Sequence, residues 1–314
     1  MPVSFLLDPL YPWTWSETIR TIRAFQPDLV IFQWWTVFWS PAWAWICWRL
    51  NRQGIKTVFF IHNVVPHEPR RLDPWLASLA LRQSAAYITL TEKEHQRLRS
   101  LLGNFSKPVF STPLPAYQLG KALVSKNEAR TRLGLPLETP VLLFFGLVRP
   151  YKGLFYLIEA CGQLTNEPFH PLLVIAGEFW EDPQTYKAQI KRLNLDEWIR
   201  IENRYLPDEE AALWFCAADL FVAPYTGGTQ SAALRVALGY GLSVIATDTI
   251  TGEFTDLDSP NLTIVPAGDA LALAEAIRQR LIDLPKTTTL PSIEEQWQRM
   301  VEVIGQASQA INIK

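Results

Sequence analysis

Cysteine is scarce. Cys47, Cys161 and Cys216 are the only three in 314 residues, and their scatter fits neither a disulfide framework nor a metal spacing. A reducing cytoplasm is the simplest setting. An excess of one charge is also missing. The net charge of −2 creates no field that would draw the chain to nucleic acid. No Gly-x-Gly-x-x-Gly and no Walker A sequence occurs, which argues against dinucleotide oxidoreductases and P-loop enzymes. The start, MPVSFLLDPLYP, has no basic segment and carries Asp8 early, so it does not read as a signal peptide.

Tryptophan is abundant instead, with 13 residues, six of them between Trp34 and Trp48. Leu29–Trp48 contains no charged residue and has the length of a membrane span, ~20 residues. Gln33, Ser40 and Pro41 interrupt it, and it divides into a strand, LVIFQWW, and a helix, PAWAWICWRLNRQG. Because indole is apolar with one polar handle, Trp34–Trp48 is also a candidate for peripheral contact with a bilayer. That would place the protein at the inner face of the membrane.

With 48% hydrophobic and 19% charged residues, the chain reads as about two globular domains. A helix is expected over Trp15–Phe25, with Thr14 or Ser16 as its cap. LVIFQWW, KTVFFIHN, AAYITLT and KPVFST then read as strands alternating with helices. Tyr117–Pro140 is polar and irregular apart from NEARTRLGL, and reads as an interdomain linker. Six strands follow: VLLFFG, PLLVIAG, WIRIEN, DLFVAP, LSVIAT and NLTIVP, again with helices between them. The pattern predicts α/β architecture with two parallel, Rossmann-like sheets. The expected domains are residues 1–124, 125–290, and a terminal helix over 291–314 that packs back on the first domain.

The most informative stretch is VLLFFGLVRPYKG, Val141–Gly153. An apolar run ends in Gly146, a loop offers Arg149 and Lys152, and Gly153 opens a helical pattern. Strand ends of this kind bind ligands in open α/β sheets, and two cations beside a helix N-terminus suit a diphosphate. Glu178 follows the next strand, and Tyr205, Leu206 and Pro207 follow the third. TGGTQS, Thr226–Ser231, follows the fourth, where Gly227 and Gly228 let the backbone approach a ligand closely. Taken alone, TGGTQS also suits an ordinary helix cap.

The ordered series FGLVRPYKG, LLVIAGE, YLPDEE, AADLFVAPY and GLSVIATD resembles the group 1 glycosyltransferases across most of Val141–Asp248. QWW and IHNVVPHE resemble a bacterial branch of the same family. The resemblance implies a GT-B fold, two Rossmann-like domains facing a cleft, and retaining transfer from a UDP- or GDP-linked sugar to a glycan or glycolipid. It implies that Arg149 and Lys152 hold the donor diphosphate and that His62 faces the donor sugar. Tyr205 and Leu206 would lie by the nucleobase, with Gly146, Glu178, Gly227, Gly228, Thr229, Gln230 and Ser231 around the donor. No resident cofactor or metal is expected, although His62, His67 and Glu68 form one conceivable metal set.

Two departures stand out. Gly228 and Val236 fall where the family usually carries two glutamates, which leaves Thr229, Gln230 and Ser231 to supply polar contacts. The opening strand and glycine-rich loop of the family's first domain are also not found, so that domain is expected to be truncated or reduced. Both departures keep open a non-catalytic partner subunit or nucleotide-binding module, and a sugar-nucleotide epimerase is a further alternative.

Overall fold

The computed structural model describes residues 5–66, 70–120, 124–165, 167, 170–228, 230–253, 261–283 and 292–312. The chain forms two compact units, residues 1–113 with 297–314, and residues 114–296.

In the first unit, helix α1 (Pro12–Phe25) precedes strand β1 (Leu29–Trp34), helix α2 (Ser40–Asn51) and strand β2 (Lys56–Ile61). Helix α3 (Asp73–Leu81), strand β3 (Ala86–Thr89), helix α4 (Glu92–Leu102) and strand β4 (Val109–Ser111) follow. The four strands are parallel in the order β1-β2-β3-β4. Right-handed crossovers that always step the same way put α2, α3 and α4 on one face. Phe32, Trp34, Phe59, Ile61 and Tyr87 meet Ile46, Leu50, Leu81 and Leu98 there in one core. Val58, Phe60 and Ile88, which alternate with these, are also buried. Helix α11 (Ile293–Asn312) joins this unit from Trp297 onward and buries Met300, Ala307 and Ile311.

Three expectations are corrected here. The first helix begins at Pro12 with Tyr11 as its cap residue. Thr14 is inside it, where its hydroxyl bonds back to the Tyr11 carbonyl at 2.7 Å and accepts the Asp8 N–H at 3.1 Å. The tryptophan-rich segment does divide into a strand and a helix, but it is not one surface. Trp34 is fully buried, its indole N–H donating to the Val64 carbonyl, and Trp43 packs against Phe32 and Trp39. Trp35, Phe38 and Trp48 remain exposed. Among the described residues, no helix is long and apolar enough to cross a membrane.

The third correction concerns Tyr117–Pro140, which belongs to the second unit. Ala116, Ala129 and Leu135 lie in that unit's core, and helix α5 (Lys126–Leu133) packs on helix α8 (Asp208–Ala217). Strands β5 (Val141–Phe145), β6 (Leu172–Ala176), β7 (Ile199–Glu202), β8 (Leu220–Ala223), β9 (Ser243–Thr247) and β10 (Leu262–Val265) follow. All are parallel, in the order β10-β9-β8-β5-β6-β7. Alternate residues of β5 serve opposite faces. Val141 and Leu143 pack with α5, α8 and helix α9 (Ala232–Gly239). Leu142 and Phe144 pack with helices α6 (Leu154–Gln163), α7 (Pro183–Arg192) and α10 (Ala270–Ile282).

A charged knot closes the amino ends of this sheet. Buried Arg130 donates to Asp219 at 2.5 Å and to the carbonyls of Ala217, Pro136 and Leu137. Asp219 also accepts the Val141 N–H at 2.7 Å and the Lys126 ammonium at 2.6 Å. Removing one partner strands the other charge in the interior. Asp219→Ala should therefore cost about 3–5 kcal/mol in urea unfolding of the second unit. Its near-UV circular dichroism transition should move to lower denaturant accordingly.

Candidate functional site

The second sheet reverses its winding between β5 and β8, since β6 and β7 lie to one side and β9 and β10 to the other. Helices leave that point on opposite faces and open a crevice at the strands' carboxyl ends. Arg149 and Lys152 follow β5, and Tyr225–Ser231 follow β8, so the switch point brings the two predicted segments together.

Gly153 makes the meeting possible. Its φ is +68°, and a Cβ there would sit 1.8 Å from the Pro224 carbonyl oxygen. The loop after β5 thus lies directly on the backbone after β8, and the Thr226 N–H donates to the Tyr151 carbonyl at 2.7 Å. A Cβ on Gly177 would likewise lie 2.3 Å from the Gly146 carbonyl oxygen. Beyond the strand ends, Val148 forms a parallel bridge with Phe179. The Val148 N–H donates to the Glu178 carbonyl at 2.8 Å, and the Trp180 N–H to the Val148 carbonyl at 3.1 Å.

This bridge sets Arg149 beside Trp180, with the guanidinium 4.5 Å from the indole centroid. Trp180 is 60% exposed. Lys152 lies over the ring of buried Tyr225 at 5.6 Å, and its ammonium is next to Gly146. Burial pulls the Lys152 ammonium below the usual lysine range. Tyr151 opposes that shift and the Arg149 charge adds to it. Among the described residues, neither cation is in an ion pair. Aromatic faces hold these charges without cancelling them.

A Cβ on Gly228 would meet the Tyr151 ring at 3.7 Å, and one on Gly227 would meet the Tyr151 Cβ at 3.5 Å. Helix α9 starts at Ala232. Its cap is Ser231, whose buried hydroxyl accepts the Leu234 N–H at 3.2 Å and pairs with the Tyr225 hydroxyl at 3.0 Å. That side chain is already engaged in holding the turn. Thr229 lies outside the described residues, and Gln230 stands beside the cap. Of the pair after β7, Tyr205 is 70% exposed, whereas the Leu206 side chain belongs to the core with Val236. Leu206 therefore presents no apolar side chain to a surface ligand.

His62 sits at the carboxyl end of β2 in the first unit. Its Nε2 is 2.8 Å from Gln33 Oε1, and its ring stacks on Trp35 at 3.7 Å. Burial lowers its pKa from the ordinary 6.5 to about 4, so the ring is neutral at physiological pH. His67 and Glu68 lie outside the described residues, and among those described no group of three His, Cys, Asp or Glu residues can hold a metal. An open cavity of about 830 Å³ lies elsewhere, beside Glu138, His170 and Trp198 at the amino ends of β5, β6 and β7.

Sequence reasoning missed Trp180, Tyr151 and Tyr225. The EFW following LLVIAG was a signal for the first, because it follows a neighbouring strand at the height of Arg149.

Comparison with known proteins decides the family. Residues 139–283 match the model for glycosyl transferases group 1, and residues 2–114 match that for the glycosyl transferase 4-like domain. The chain belongs to the group 1 glycosyl transferases. Within that family it is 31% identical over 173 residues to D-inositol 3-phosphate glycosyltransferase 1 of Catenulispora acidiphila, covering 52% of this chain and 41% of that protein. It is 27% identical over 216 residues to the putative teichuronic acid biosynthesis glycosyltransferase TuaC of Bacillus subtilis, covering 68% of this chain and 51% of TuaC. The chain thus spans two-fifths to one-half of the length of these relatives. Anabaena HepE, solved in complex with UDP, superposes with a TM-score of 0.71 at 18% identity, covering 97% of this chain and 83% of HepE. The group 1 glycosyl transferase chain therefore has the two-sheet GT-B architecture of such neighbours.

Two measurements test this geometry. Gly153→Ala forces an L-residue into positive φ against a carbonyl, and should cost the second unit about 2–4 kcal/mol in urea unfolding. For His62, the unfolded chain takes up a proton near pH 6.5 that the folded chain refuses until about pH 4. Stability is therefore complete above pH 6.5 and falls through that window, by roughly 2–4 kcal/mol in all. Unfolding midpoints followed against pH should show this slope, and His62→Gln should remove it.

Proposed function

We propose that this chain transfers a sugar from a nucleotide-diphosphate donor to a hydroxyl of a glycan or lipid-linked acceptor, with retention of the anomeric configuration. The observation that carries the reading is the pair of uncancelled cations, Arg149 and Lys152, at the switch point of the second sheet. Membership of the family supports it, as do the HepE structures, which hold UDP, UDP with glucose, and UDP-glucose. UDP is accordingly the first nucleotide to test, and GDP the second.

In this reading the bond between the anomeric carbon and the diphosphate oxygen breaks, while a bond to the acceptor oxygen forms on the same face. The acceptor's proton leaves with the departing phosphate oxygen. Negative charge grows on the diphosphate, and Arg149 and Lys152 stabilise it electrostatically at no cost of reorganisation. Amides of the Gly227–Gly228 turn and the start of α9 give further anion contacts. His62 of the first unit is neutral, so any part it takes is that of a hydrogen-bonding group rather than of a charge. Gly146 and Glu178 frame the phosphate side, and Tyr205 offers an exposed ring for the base.

One observation favours a non-catalytic relative. Gly228 has no side chain, and Val236 is buried in the core, where family members usually place two glutamates. The two readings separate in a paired experiment, calorimetric titration with UDP and GDP and a transfer assay with the matching nucleotide sugars. Binding together with transfer supports the enzyme, whereas binding without donor turnover supports the module. Arg149→Ala should lower turnover by about 10²-fold or more. Turnover equal to wild type would remove the central assignment.

A further inference from the structure

Helices α1 and α2 of the first unit pack side by side. Between their outer faces runs a groove of about 310 Å³, lined by Arg20 and Arg23 of α1, by Trp45, Trp48 and Arg49 of α2, and by Gln53. The spacing explains the alignment. Trp13, Ser16, Arg20 and Arg23 recur at three- and four-residue intervals on α1, and Trp45 is followed at such intervals by Trp48 and Arg49 on α2, with Arg52 at its cap. The four arginines are exposed, and among the described residues none is in an ion pair. The guanidinium of Arg52 lies 5.0 Å over the Trp48 ring. Glu17 is the only acidic residue on either helix. Trp13 is 67% exposed, with Tyr11 against it at 4.8 Å.

We propose that the α1–α2 groove docks the first unit onto an anionic phospholipid surface. The arginines would meet lipid phosphates while Trp13 and Trp48 enter the interface. Charge complementarity selects this occupant, since four cations that are in no ion pair among the described residues would repel their counterparts on a second copy of the same face. Indole settles at the boundary between headgroups and acyl chains, and long arginine side chains reach back to phosphate from that depth. Basic residues near an anionic leaflet add their attractions, and salt weakens each of them. The contact does not require a nucleotide in the second unit, so it stands or falls independently of the proposed transfer reaction.

The test is co-sedimentation of the whole chain with vesicles of phosphatidylcholine alone and of phosphatidylcholine mixed with phosphatidylglycerol. The expected result is binding to the mixed vesicles only, released by raised salt. In Arg20→Ser/Arg23→Ser/Arg49→Ser the partition coefficient should fall about tenfold or more. Trp48→Ser should weaken binding further, and Lys187→Ser on α7 should leave it at the wild-type value. Circular dichroism checks that each variant folds, and the salt titration of the unaltered chain needs no variant. Equal partition onto both vesicles, no partition onto either, or a triple variant bound like wild type would overturn the proposal. So would a solution dimer that the same arginine substitutions dissociate, because a second copy would then be the occupant.

Discussion

A contact between two stretches of backbone governs the second unit. Gly153 presses on the Pro224 carbonyl with no room for a side chain. The constraint acts on everything at the switch point. It brings Lys152 over Tyr225, sets the Thr226 N–H on the Tyr151 carbonyl, and lays the Tyr151 side chain against the two glycines of the next turn. The Tyr225 carbonyl is in turn held by the hydroxyls of Thr247 and Thr249 at the end of β9. Three neighbouring strand ends are thereby joined through main-chain oxygens, which offer few alternative arrangements once the side chains beneath them are packed.

The same unit holds its cations in two different ways. Arg130 is structural. It is buried, paired with Asp219 and bonded to three carbonyls, so its charge is cancelled where it lies. Arg149 and Lys152 rest on indole and phenol faces. A ring attracts a cation but carries no net charge, so these two side chains still project a positive field. That contrast separates cations that hold the fold together from cations available to an anion.

The strands were legible because buried parallel strands are continuous apolar runs, and all ten runs read as strands are strands. The placing of Arg149, Lys152 and TGGTQS at strand ends was legible for the same reason. What escaped were features that depend on strand order, which no local pattern encodes. Trp180 becomes Arg149's neighbour only because β6 pairs with β5. Tyr117–Pro140 looked like a linker because its composition is polar, yet its polarity is that of Arg130 and Lys126 reaching Asp219, 89 and 93 positions away in sequence. The tryptophans of the first unit misled differently. Their composition suggested a surface, whereas strand alternation sends Trp34 inward and leaves Trp35 outside against His62.

The bridge between Val148 and Phe179 has a thermodynamic consequence. A loop that must clasp an anion ordinarily loses conformational freedom at the moment of capture, on the order of 1–2 kcal/mol for each residue it orders. Here the pairing of β5 with β6 continues past the strands, so the segment carrying the guanidinium has surrendered that freedom during folding. An anion bound here would leave the main chain almost as ordered as before. Affinity for it would then draw on preorganisation rather than on a larger number of contacts.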